Sequence, residues 1–116
     1  MNAAGLRRLA AFLMLASSAT HLSELWVFGL ESPVMLVVVG FGVAFFVIGL
    51  FLLRPGRRVL WWGAVLPAIA AFLGVANSLR LGSMHPYTVW HLAVDLTVFP
   101  ICIGLLARKP GDPTAS

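Results

Sequence analysis

His21 and Glu24 stand three residues apart, and His91 and Asp95 four apart. Both spacings put the two side chains on one face of a helix. Two imidazoles with two carboxyls admit three kinds of chemistry. They can hydrogen-bond across helices and fix register, at about 1 kcal/mol per bond. They can bind a small substrate and exchange a proton as it arrives, because histidine titrates near neutral pH. They can also ligate a divalent transition metal, since imidazole and carboxylate together suit zinc, iron, manganese or copper. All three readings use the same residues, His21, Glu24, His91 and Asp95.

Other polar residues are placed to extend this set. Ser17 lies one turn before His21, and Thr88 and Cys102 project near the direction of His91 and Asp95. Asn77 is expected to close one end of a substrate- or proton-binding site, with Arg80 either joining it or reaching for the headgroups. His85 falls in the turn Met84-His85-Pro86, where it can cap the entrance or, with Met35, offer a soft copper site. Signatures of nucleophilic or phosphate chemistry are absent: there is no G-x-S-x-G, H-E-x-x-H or Walker sequence. No motif supports an enzyme.

The elements that must position these residues follow from composition. Of 116 residues, 60% are hydrophobic and 10% charged, and the mean hydropathy is +0.98. A soluble domain carries about a quarter charged residues, so a water-soluble globule is excluded, and disorder with it. The net charge of +4 sits on short flanks between apolar runs and forms no basic face, which argues against nucleic acid as a partner. A single cysteine, Cys102, forms no intrachain disulfide. Four apolar segments, about 9–30, 33–53, 59–81 and 87–107, each hold roughly the 20 residues that cross a bilayer core. Turn residues separate them: Glu31-Ser32-Pro33, Arg54-Pro55-Gly56 and Gly82-Ser83. The expected fold is all-α, an integral membrane four-helix bundle over residues 1–109 with up-down antiparallel topology and a flexible tail at Pro110–Ser116. Arg7-Arg8, Leu9–Ala16 and Ser17-Ser18-Ala19 also fit a secretion signal, but apolar character resumes at Leu22, so an uncleaved first helix is expected.

Seven of the eight basic residues fall at the two termini and in 54–58, and only Arg80 falls at the opposite ends of the spans. By the positive-inside rule both termini face the cytoplasm of a cell inner membrane. On that scale, at about 1.5 Å per residue, His21 and Asp95 both reach a depth of about 20 Å. Glu24 and His91 reach about 24–25 Å by the same rise. Equal depth predicts that helices 1 and 4 are neighbours, with His21 beside Asp95 and Glu24 near His91 in the outer half of the bilayer. Carboxyl groups there face a bundle interior, a partner or a water-filled cavity.

Gly40, Gly42, Ala44 and Gly49 in the second segment, and Gly63, Ala64, Ala68, Ala71 and Gly74 in the third, suit close helix packing. Pro67 and Pro100 lie mid-span and can kink their helices. The surplus of glycine in the second segment predicts a homo-oligomer or docking onto a larger membrane complex. In length and helix count the chain resembles the small multidrug resistance transporters, which place a glutamate in the first membrane helix, and in layout the DoxX-like proteins. Both likenesses are of architecture and carry no residue roles. The leading expectation is a membrane protein that binds or translocates a small substrate, proton or metal ion. The alternative is a non-catalytic accessory subunit.

Overall fold

A computed structural model of the protein describes residues 2–108; the expected tail at Pro110–Ser116 lies outside them. The described residues form four helices: α1 (Ala3–Phe28), α2 (Pro33–Leu52), α3 (Arg58–Leu81) and α4 (Pro86–Leu106). Each is long and apolar enough to cross a membrane. The bundle is 47 Å long and 23 × 20 Å across, comparable to a bilayer of about 40–45 Å with its headgroups. Its flanks carry the large apolar side chains of Phe12, Phe72, Leu79 and Leu96, all exposed. That surface suits hydrocarbon and not water.

Local chemistry sets the helix ends. α1 begins six residues before the expected boundary because Asn2 caps it, its Oδ1 accepting from the Gly5 amide at 2.8 Å. The apolar run marked only where lipid-compatible residues begin, not where the backbone becomes helical. α1 then continues without a break through Ser17-Ser18-Ala19 to Phe28. Gly29, at φ 72°, ends it and returns its N–H to the Leu25 carbonyl. Ser32 and His85 cap α2 and α4, each followed by a proline whose missing N–H costs nothing in the first turn. Pro67 and Pro100 lie inside continuous helices and leave the carbonyls of Gly63 and Leu96 without their usual amide donors.

α1 packs against α2 and α4, and α3 packs against α4, while α2 and α3 touch only lightly. Small residues set this order. A β-carbon at Gly49 would lie 2.8 Å from Leu15, and one at Gly42 3.1 Å from His21, so α2 presents both glycines to α1. A β-carbon at Gly63 would lie 2.7 Å from Cys102 Sγ, which fixes the approach of α3 to α4. Gly40 alone among these helix-2 glycines faces open space. The expected glycine surplus is therefore mostly consumed inside the chain.

The apolar core, with Met14, Phe45, Leu52, Leu60, Val98 and Leu105 at its centre, fills the half of the bundle that carries the arginines. Two guanidiniums close that end. Arg7, buried, donates to the Arg54 carbonyl and to the Gly56 carbonyl at 2.9 Å. Arg57 donates to Leu106 O at 2.6 Å and Arg108 O at 3.2 Å. They satisfy carbonyls that the ends of α2 and α4 and the 53–57 turn leave without intrahelical donors.

Candidate functional site

The other half of the bundle, toward the 29–32 and 82–85 turns, is built differently. α1 and α4 meet there through His21 and His91, whose rings stack with centroids 3.6 Å apart and planes 15° apart. The edge of Phe45 from α2 abuts His21 at 5.3 Å. His21 is held from its own helix: Nδ1–H donates to the Ser17 carbonyl at 2.8 Å, with Ser17 Oγ at 3.3 Å. His91 Nε2 lies 2.8 Å from Thr20 Oγ1, which also accepts from Trp90 Nε1 at 3.0 Å. Beside this stack Ser18 Oγ donates to the Gly42 carbonyl at 2.6 Å, tying α1 to α2.

The two carboxyl groups flank the imidazoles but are not satisfied by them. Glu24 Oε2 lies 3.9 Å from His91 Nδ1, an ion-pair distance too long for a hydrogen bond. Among the described residues this is the only histidine–carboxylate pair within 4.0 Å. Asp95, 2% exposed, does not pair with His21. Among the described residues, Asp95 Oδ1 and Glu24 Oε2 are the two buried side-chain oxygens without a hydrogen-bond partner. α1 and α4 are neighbours as expected and Glu24 lies near His91, without a hydrogen bond between them; beside His21 stands His91 and not Asp95. Equal depth sets the height of two residues on neighbouring helices, but their azimuth decides which rings meet.

Both carboxyl groups line a cavity of about 700 Å³. Its polar wall is His21, Glu24, His91 and Asp95, from α1 and α4. α2 and α3 contribute the apolar Val38, Phe41, Leu73 and Gly74 together with Ser78. It occupies the gap left where α2 and α3 fail to close on one another. Asn77 and Arg80 line it as well, with Arg80 Nη2 donating to Asn77 Oδ1 at 2.7 Å. The two therefore bond to each other and not to the carboxyl groups.

Several expectations resolve differently. The metal-ligand reading of His21, Glu24, His91 and Asp95 gains no support from the arrangement. Among the described residues no group of three or more His, Cys, Asp or Glu side chains is placed to hold a metal. His85 is a helix cap whose Nδ1 accepts from the Tyr87 amide at 3.2 Å, and its ring stacks on Tyr87. That nitrogen is thereby withdrawn from the soft-metal site imagined with Met35. Thr88 does line the cavity. Cys102 does not: it is buried in the apolar core against Gly63.

Thr20 was not anticipated, yet it anchors both His91 and Trp90 from α1. The available signal was its position beside His21 in the polar stretch that also holds Ser17, Ser18, Ser23 and Glu24. No protein family, curated protein or solved structure matches the chain.

Proposed function

We propose that the protein is a four-helix membrane protein whose helices run antiparallel, with both termini and the 54–58 turn in the cytoplasm, and that it binds a small substrate in the outer-half cavity. His21, Glu24, His91 and Asp95 form the binding wall, and Asn77 stands at the rim. The observation that carries this reading is that the carboxyl groups of Glu24 and Asp95 both line a cavity of about 700 Å³, and each keeps one buried oxygen that no protein group satisfies. A polar group removed from water and left unpaired costs several kcal/mol in an apolar setting. A clamp that served only to hold helices together would satisfy its own acceptors.

The accessory-subunit alternative draws on the glycines of α2 as a docking face, and two observations weigh against it. Gly42 and Gly49 are buried against α1, and the His–carboxylate wall is left open and not internally paired.

Two measurements test the proposal. In a Cys102→Ala background an impermeant external reagent should label Ser83→Cys and spare Gly56→Cys; the reverse pattern overturns the orientation. Native mass spectrometry of protein released from membranes should find a small bound species on the wild type that is lost from folded Asp95→Asn and Glu24→Gln. Retention of the same species by both variants overturns the site.

A further inference from the structure

We propose that a groove on the outside of the bundle, between α1 and α4, is a binding site for one anionic phospholipid of the leaflet at the arginine end. It lies apart from the cavity and does not depend on the ligand-binding reading above. The groove has a volume of about 520 Å³ and is lined by Leu6 of α1, by Leu96, Pro100, Ile101 and Gly104 of α4, and at one end by Arg108. Positions 96, 100, 104 and 108 recur every four residues, which is one face of a helix. Missing bulk opens that face. Gly104 has no side chain, and a β-carbon there would meet nothing within 4 Å. Elsewhere the lipid-facing surface is filled by large exposed side chains such as Phe46, Phe51, Trp61 and Phe72.

Length and polarity choose the occupant. At about 1.5 Å per residue the run from Leu96 to Arg108 covers roughly 18 Å, and one leaflet of a hydrocarbon core of about 30 Å is about 15 Å deep. One acyl chain therefore fits the groove with its headgroup at the level of Arg108. The side chains of Leu6, Leu96, Pro100 and Ile101 are hydrocarbon, and an acyl chain is what they would bury. Thr97, also on the lining, spends its hydroxyl hydrogen on the Ala93 carbonyl at 2.7 Å and asks nothing of the chain. No acidic side chain among the described residues lines the groove. The guanidinium of Arg108 has five N–H donors in a fork suited to phosphate, enough to hold one beside its other contacts. Arg57 prepares the same end. It donates to the carbonyls of Leu106 and Arg108, so the negative end of the α4 dipole, which would repel a phosphate, is met by a cation. A zwitterionic lipid matches the walls and gains less at Arg108; a soluble phosphate matches Arg108 and leaves the walls uncovered. Basic sites between helix ends are where anionic headgroups are held.

The test uses the full chain in detergent micelles, with native mass spectrometry after stepwise addition of dioleoyl phosphatidylglycerol, dioleoyl phosphatidylcholine or glycerol 3-phosphate. The wild type should hold one phosphatidylglycerol about fivefold more tightly than phosphatidylcholine, and should not retain glycerol phosphate. Arg108→Gln should remove the preference between the two lipids. Gly104→Phe, which fills the groove, should weaken both about fivefold or more. Arg58→Gln takes an exposed arginine from the same end outside the groove and should leave the preference unchanged. Circular dichroism qualifies each variant, and Gly104→Leu decides the matter if Gly104→Phe fails to fold. Equal retention of the two lipids by the wild type overturns the anionic class. A loss of preference in Arg58→Gln as large as in Arg108→Gln makes the attraction one of surface charge and overturns the site. Phosphatidylglycerol held unchanged when Gly104 is filled overturns the groove, and glycerol phosphate bound as tightly as the lipid overturns the need for a chain.

Discussion

The half of the bundle that carries the arginines and the half that carries the cavity are made from the same four helices, with opposite solutions to burial. In the first, Gly63 lets Cys102 approach to contact distance, the apolar core is filled, and Arg7 and Arg57 supply donors to otherwise orphaned carbonyls. In the second, α2 and α3 separate, a void remains, and two carboxyl groups line it, each with a buried oxygen that has no partner. Hydrocarbon gives helices no hydrophobic drive to associate, so they close where small residues and hydrogen bonds let them. The closed half holds the helices together, and the open half can therefore carry groups that do nothing for stability.

Removing the arginine clamp should do the most damage to this contrast. Arg7→Met deletes the charge-assisted bonds to the Arg54 and Gly56 carbonyls and should cost about 3 kcal/mol, read from reversible unfolding in micelles. A loss below about 1 kcal/mol would mean that packing alone closes that end. Overfilling comes next. Gly63→Val should cost about 2 kcal/mol by driving methyl groups into Cys102. Gly63→Ala should be largely rescued by Cys102→Ala, because the sulfur 2.7 Å from the added carbon is then gone; absence of rescue would place the clash elsewhere.

Asp95→Asn and Glu24→Gln test the open half. Neither carboxyl is satisfied by the protein, so in ligand-free protein each change should move stability by less than about 1 kcal/mol in either direction. A loss above about 2 kcal/mol would make these groups interhelical clamps and erase the difference between the halves. The smallest effect is expected at Gly40, where an added β-carbon meets nothing within 4 Å. Gly40→Ala should change stability by about 0.5 kcal/mol or less, and in the stabilising direction. Gly40→Leu should leave the native mass of the purified protein unchanged; a shift would identify that face as an interface with a second chain.

Sequence alone determined the helices of this protein, four of them long and apolar enough to cross a membrane. Four runs of lipid-compatible residues, punctuated by Ser32-Pro33, Pro55-Gly56 and Gly82 through Pro86, leave little choice of secondary structure, because each backbone amide within a span must be bonded inside its own helix. The height of the polar residues was equally legible, since rise per residue is fixed, and it brought His21, Glu24, His91 and Asp95 to one level of one cavity. Helix starts were less so: Asn2 capped α1 well outside the apolar run. Rotation and partnership were not legible at all. Whether His21 met Asp95 or stacked on His91 depended on the azimuth of α1 against α4. Whether the glycines of α2 faced α1 or another chain depended on shape across the interface. That α2 and α3 part to leave a cavity follows from how four cylinders settle when Gly42, Gly49 and Gly63 draw them into pairs, a property of the assembly that no single helix carries in its sequence.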